Sequence, residues 1–123
     1  MTSLGIDFGF KRIGLAVAVN GVISPLPGIK NDDNLISNLE KIIKEYGVNK
    51  IYVGLAEGKI VTSVLEFVLN LRTVLKLPIE TVEESVSTIE ADAIFRKNRQ
   101  NKKDYQKKID SIAAAVILRR ALS

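Results

Sequence analysis

The sequence predicts an α/β domain: a mixed five-stranded sheet with helices on both faces. Three observations carry that expectation. The chain opens with apolar runs of strand length, two of them joined by Asn20-Gly21, a strong signal for a tight hairpin turn. From residue 32 onward, segments with helical apolar spacing alternate with short apolar runs, an order that calls for crossovers and parallel pairing. At 123 residues and 46% hydrophobic content, the chain has enough apolar material for one core and too little length for two, so residues 1–123 are read as a single domain.

Residues 3–8 and 12–19 read as strands joined by a short "GFK" turn. "VISPLPGI" is the third strand, and its prolines suggest an edge position or an early end. "DDNLISNLEKIIKEYG" places Leu35, Ile36, Leu39, Ile42, Ile43 and Tyr46 on one helical stripe, with Asp32 or Asp33 as the expected cap and Gly47 as the stop. "KIYVGL" is a buried strand. Residues 60–76 carry a second stripe through Val61, Val64, Leu65, Val68, Leu71 and Leu75, and Pro78 leads into the strand "PIETVE". Ser87 and Glu90 form a capping box for a third helix. "IDSIAAAVILRRAL" closes the chain as a helix with Ile109, Ile112, Ala113, Val116 and Ile117 on its apolar face. Three antiparallel strands followed by helix, strand, helix, strand, helix and helix is the layout of an RNase H-like domain.

Composition narrows the chemistry. The chain contains neither Cys nor His, which leaves carboxylates, lysines, hydroxyls or a hard metal ion on oxygen ligands to do any catalysis. No apolar run reaches membrane-span length, and no charged-then-apolar leader precedes Leu4; the expectation is a soluble, unexported, cytoplasmic protein with no membrane partner. The net charge of +4 is concentrated in residues 96–108. There Arg96, Lys97, Arg99, Lys102, Lys103, Lys107 and Lys108 stand against Asp104 alone, a local +6. Such a segment is a candidate contact to a phosphate backbone, and is read as a mobile clamp between the third and closing helices. A merely solvating loop is the plainer alternative.

Candidate site residues emerge from strand parity. In residues 4–9, Leu4, Ile6 and Phe8 share one face, and Gly5, Asp7 and Gly9 share the other, so Asp7 has no side chain beside it on its own face. A carboxylate so placed needs a cation or donors to offset its burial. A second acidic station is the pair Glu83 and Glu84 at the end of the last strand, and a third is Asp110, read as lying in the first turn of the closing helix. Ala113 and Ala114 beside it keep the helix surface low, so the helix can press against the sheet near Asp7. Three acids so distributed suit two Mg²⁺ ions about 4 Å apart, the arrangement for in-line phosphodiester hydrolysis.

"GIDFGFKRIGLAVA" resembles the G-[LI]-D-x-G-x-K-R-[IV]-G-[VL]-A opening of the YqgF (RuvX) family, RuvC-like nucleases of the RNase H superfamily. "IYVGL", "ESVSTIEA" and "KKIDSIAAAVIL" are similar, in order, to later blocks of the same family. The resemblance implies a cytoplasmic nuclease using Mg²⁺ or Mn²⁺ on structured nucleic acid, in maturation of the 5′ end of small-subunit ribosomal RNA or, as in relatives, on branched DNA. Carried over by position, it assigns the metal-binding and catalytic acids to Asp7, Glu84 and Asp110, with Glu83 the fallback for Glu84. Lys11 and Arg12, with the basic segment, are the expected nucleic-acid contacts. The chain departs from the family pattern where Ser85 replaces an arginine and where "VGLAEGKI" has Ala56 for a proline and a shorter loop. These departures bear on substrate and rate rather than fold, and leave a noncatalytic nucleic-acid-binding module as the alternative. The G-x-D-x-G pattern also resembles the first phosphate loop of actin and sugar-kinase ATPases, but these residues supply neither a second lobe nor an adenosine-binding glycine motif.

Overall fold

A computed structural model describes residues 1–56, 61–84 and 102–123. The described strands are β1 (Thr2–Asp7), β2 (Arg12–Val19), β3 (Val22–Lys30), β4 (Lys50–Ala56) and β5 (Ile79–Glu84), and the described helices are α1 (Leu35–Tyr46), α2 (Val61–Val74) and α3 (Lys102–Ala121). The strands form one sheet in the order β3-β2-β1-β4-β5. β1 pairs antiparallel with β2, and β2 with β3; β4 runs parallel to β1, and β5 parallel to β4.

The Asn20-Gly21 turn has the left-handed backbone that this dipeptide tolerates, with φ of 50° and 85°. β3 is an edge strand, which explains how Pro25 and Pro27 sit inside it without removing a needed ladder donor. Its prolines do not end it early: it runs the full nine residues to Lys30. α1 stops at Gly47, whose φ of 64° gives the left-handed C-terminal cap. The cap at the other end is Asn34, not Asp32 or Asp33. Asp32 instead closes the turn before the helix, its Oδ1 accepting from the Asn34 backbone N–H at 2.9 Å.

Both crossovers step in the same direction across the sheet, from β3 to β4 by way of α1 and from β4 to β5 by way of α2, so hands of one sense put α1 and α2 on one face. There Leu35 and Leu39 of α1 and Val64, Phe67, Val68 and Leu71 of α2 bury Leu4, Ile6, Ile13, Leu15, Ile51 and Val53. Leu65, expected on that stripe, is 44% exposed: it lies about 100° around the helix from Val64, and Phe67 takes the buried place. Tyr46 likewise stays at the exposed rim of α1.

α3 alone, among the described helices, covers the other face, where the contacting residues are small. Ala16, Ala18 and Tyr52 of the sheet meet Ala114, Ala115, Ile117 and Leu118. A Cβ built on Gly5 would lie 2.6 Å from Leu118 Cγ and 2.7 Å from the Ala114 carbonyl oxygen, so β1 and α3 approach to a distance only glycine permits. The second anchor is Ser111, fully buried, whose Oγ accepts the backbone N–H of Leu15 at 3.0 Å. The β2–β3 register shifts between Ile13 and Leu15, and Ser111 receives the N–H at that irregularity.

α3 also corrects the reading of the basic segment. Helix begins at Lys102, so Lys102, Lys103, Lys107 and Lys108 lie on α3 and not in a mobile loop, and Asp110 lies well inside the helix and not in its first turn. The run from 102 to 108 has no Gly or Pro and is rich in Lys and Gln, both good helix formers, so nothing local stops the helix before Ile109. Arg96, Lys97, Arg99 and the Ser87–Glu90 capping box lie outside the described residues. Among the described residues, no helix is long and apolar enough to cross a membrane.

Two stability outcomes follow. Gly5→Ala is expected to lower unfolding free energy by about 1–3 kcal/mol or more, and Leu118→Ala should not restore it fully, because the Ala114 carbonyl is backbone. Ser111→Ala should cost about 1–3 kcal/mol by stranding a buried donor. Urea denaturation of each variant beside wild type measures both, and a Gly5→Ala midpoint equal to wild type would contradict the close approach.

Candidate functional site

Asp7 is the last residue of the central strand β1 and is half-buried. Its ladder partner on β2 is Gly14, so the surface beside it is low on that side. On the other side, Gly5 pairs with Tyr52, and strand alternation puts Gly54 and Ala56 on the same face as Tyr52. The sheet positions that flank Asp7 on its own face, 14 and 54, are thus both glycine.

The two acids at the end of β5 separate by register. Glu83 pairs with Leu55, whose face is the α1/α2 face, and Glu83 is exposed. Glu84 pairs with Ala56, which puts position 84 on the α3 face together with Asp7. Only β4 stands between their strands, a separation of about 10 Å at two strand spacings. Alternation therefore favours Glu84 over Glu83 as the companion of Asp7.

Position 110 is set by the two anchors of α3. Ser111 is fastened beside Leu15, the neighbour of Asp7's partner Gly14. Position 110 is also one turn N-terminal to Ala114, whose carbonyl overlies Gly5. From Ala114 back to 110 is about 5.4–6 Å along the helix, and from Gly5 on to Asp7 is about 6.6 Å along the strand. The two displacements match, so position 110 comes level with Asp7. The backbone thus brings Asp7, position 84 and position 110 to one end of one sheet face.

Cations border the same end. Lys11 in the β1–β2 turn and Arg12 at the start of β2 are exposed, and Arg12 shares the face of Gly14 and Asp7. Lys30, exposed at the end of β3, pairs with Arg12. Sequence reading missed Lys30: counting from Asn20-Gly21 sets residue 29 opposite Arg12, and only the register shift between Ile13 and Leu15 brings Lys30 there. At the far end of β4, the Lys50 ammonium bridges to Glu80 at 3.2 Å and lies 5.0 Å from the Tyr52 ring centroid. Hydrogen bonding to Tyr52 and then to Glu80 raises its pKa above the ordinary lysine value. That cluster ties β4 to β5 and stands away from the acidic end.

The acids at positions 7, 84 and 110 offer carboxylate oxygens, in a chain with neither Cys nor His, and so fit a hard cation such as Mg²⁺ or Mn²⁺.

Comparison with known proteins places this geometry. Crystal structures of a fowlpox virus resolvase with Holliday junction DNA and of Thermus thermophilus RuvC with its Holliday junction substrate have the same fold. Each matches with a TM-score of 0.62, at 14% and 16% identity, covering 99% and 100% of this chain and 96% and 97% of theirs. The sheet order and helix placement are thus those of RuvC-like, RNase H-like resolvases. Relatives in sequence include proteins named pre-16S rRNA nuclease. One from Sulfurihydrogenibium is 34% identical, covering 94% of this chain and 85% of its own; one from Buchnera aphidicola is 35% identical, covering 96% and 93%. A third, from Sulfurovum, is 34% identical, covering 100% and 99%. The family model described as RuvX, Holliday junction resolvase, matches residues 1–123, the whole of the sequence: the chain belongs to the RuvX family.

Proposed function

We propose that the chain is a divalent-metal-dependent nuclease that hydrolyses phosphodiester bonds in structured nucleic acid, its principal substrate being the 5′ region of small-subunit ribosomal RNA precursor. The observation that carries this reading is the match between the helix rise from Ala114 to position 110 and the strand rise from Gly5 to Asp7. It supports a reading in which Asp7, Glu84 and Asp110 supply three carboxylates to one site. The relatives named pre-16S rRNA nuclease support the RNA substrate.

Asp7, Glu84 and Asp110 would hold Mg²⁺ or Mn²⁺, which when bound supplies an activated water and neutralises the leaving oxygen. The chain's own contribution is placement. Asp7 is held by the central strand, between β2 and β4. Lys11, Arg12 and Lys30 border the site as phosphate contacts, orienting the backbone for attack and raising the encounter rate. The α3 lysines 102, 103, 107 and 108 extend that positive border along the helix that carries Asp110. With Ser85 at the place of the family arginine, more of the phosphate binding falls to these lysines. A branched DNA substrate is the second reading, favoured by the family description and by the likeness to structures that hold Holliday junctions.

Purified protein should cleave a labelled 16S precursor carrying its 5′ extension in Mn²⁺ and not in chelator, and cleavage of a four-way DNA junction alone would transfer the assignment to the second reading. Asp7→Asn should lower cleavage at least about a hundredfold while binding holds or tightens, because a charge that repels phosphate is removed. Undiminished turnover in that variant would end the catalytic assignment. Changing Lys102, Lys103, Lys107 and Lys108 together to Gln should flatten the slope of log affinity against log salt by roughly 3.6 if all four touch duplex phosphates. Identical slopes would show that the lysines only solvate α3.

A further inference from the structure

Phe10 is the tip of the turn that follows Asp7, and it is 65% exposed. An aromatic ring so exposed gives up the burial that most phenylalanines gain, and nothing in turn chemistry asks for it. The turn beneath it is braced. Asn31 donates through Nδ2 to the Gly9 carbonyl at 2.8 Å and through its backbone N–H to the Lys11 carbonyl at 2.9 Å, one bond on either side of Phe10. Gly9 is tight against the chain: a Cβ there would come 2.5 Å from the Arg12 carbonyl oxygen. Phe10 meets Phe8 edge to face, centroids 6.3 Å apart at 76°, and Phe8 in turn rests on buried Phe67 at 5.0 Å. The ring is therefore backed by an aromatic row rooted in the core, with one side turned to solvent.

Its surroundings select a ligand. Lys11 and Arg12 follow it directly and are exposed, and Asp7 precedes it by three residues. A shallow cavity of about 350 Å³ opens between the turn and α1 and α2, lined by Phe8, Phe10, Phe67, Asn70, Asp32 and Glu66 among others. Its acids disfavour a phosphate, whereas aromatic rings beside amide and carboxylate acceptors suit a neutral, amine-bearing heterocycle. Phosphate-binding cations on one side of a rigid aromatic tip and an acid-rimmed apolar hollow on the other fit one nucleotide, backbone outward and base inward.

We propose that Phe10 stacks an unpaired nucleobase adjoining the phosphate engaged at Asp7, so that the preferred substrate carries a base displaced from its helix beside the scissile bond. This inference rests on the nucleic-acid reading above and deepens it. A base inside a continuous duplex is stacked on its neighbours and has no free face for Phe10, so the platform discriminates by the state of the base rather than its identity.

The test uses RNA duplexes with a single 2-aminopurine bulge, and the same duplex without the bulge, bound in chelator so that no cleavage intervenes. Wild type should bind the bulged probe more tightly and change its fluorescence. Phe10→Ala should bind it about tenfold more weakly, lose the fluorescence change and bind the unbulged duplex as wild type does. Phe10→Trp should restore both signals, and thermal unfolding should not move, since the side chain is exposed. Equal binding of the bulged probe by Phe10→Ala and wild type, or equal losses on both probes, would overturn the stacking role. Wild type that binds neither probe overturns this proposal and the nucleic-acid reading together; wild type that binds but never cleaves in Mn²⁺ sinks the nuclease and leaves the stacking result to be judged by itself.

Discussion

The contact between α3 and Gly5 is the constraint on which the arrangement depends. A helix can lie this close to a sheet only where the strand offers no Cβ and the helix offers small side chains, and β1 and α3 meet both conditions at Gly5 and Ala114. Closeness alone leaves a helix free to slide or roll. The hydrogen bond from the buried Leu15 N–H to Ser111 Oγ, next to the β2–β3 register shift, removes that freedom. Spacing and phase of α3 are thus set by two interactions of different kinds, one steric and one polar, a few ångströms from where Asp7 ends β1.

The two faces of the sheet divide the work. The α1/α2 face is filled by Leu, Ile, Val and Phe, and supplies most of the burial that stabilises the fold. The α3 face is built of Ala, Gly and Ser near the acidic end, and so buries less apolar surface per residue. That poverty of side chains has a use. It lets α3 approach the sheet beside Asp7 without bulky neighbours, and the strong opposite face carries the stability that this face forgoes. Asp7, half-buried on the central strand, stands at the junction of the two.

Charge is arranged around the same end. Lys11, Arg12 and Lys30 border it on the meander side, and the lysines of α3 lie on the helix that approaches it. The Lys50–Glu80 pair at the far end of β4 is self-compensated and adds little to the field. The exposed Phe10, braced by Asn31 beside these cations, adds an apolar contact where the backbone charge leaves off.

Much of this was legible in residue order. Alternation in "LGIDFG" places Asp7 opposite the main core, Asn20-Gly21 places the hairpin, and Gly47 ends α1, because each depends on neighbours within a few residues. The family blocks likewise named Asp7, Glu84 and Asp110. What local pattern left open was decided by long-range pairing. Glu83 and Glu84 are equivalent in sequence, and only the register Leu55–Glu83 and Ala56–Glu84 divides them between faces. The basic run read as a loop because charge repels and solvates, yet residues 102–108 continue α3, whose buried C-terminal half anchors a helix that its lysines alone would not hold. Lys30 lies 18 residues from Arg12 in the chain and becomes its neighbour only through the β2–β3 ladder. Ser111 reads in sequence as one polar residue among alanines, and only the packing of α3 on β2 brings its Oγ to the Leu15 N–H. Sequence determines elements whose causes lie within a turn or two of chain; the site is assembled by pairings between residues as much as 96 apart, and those exist only once the sheet has formed.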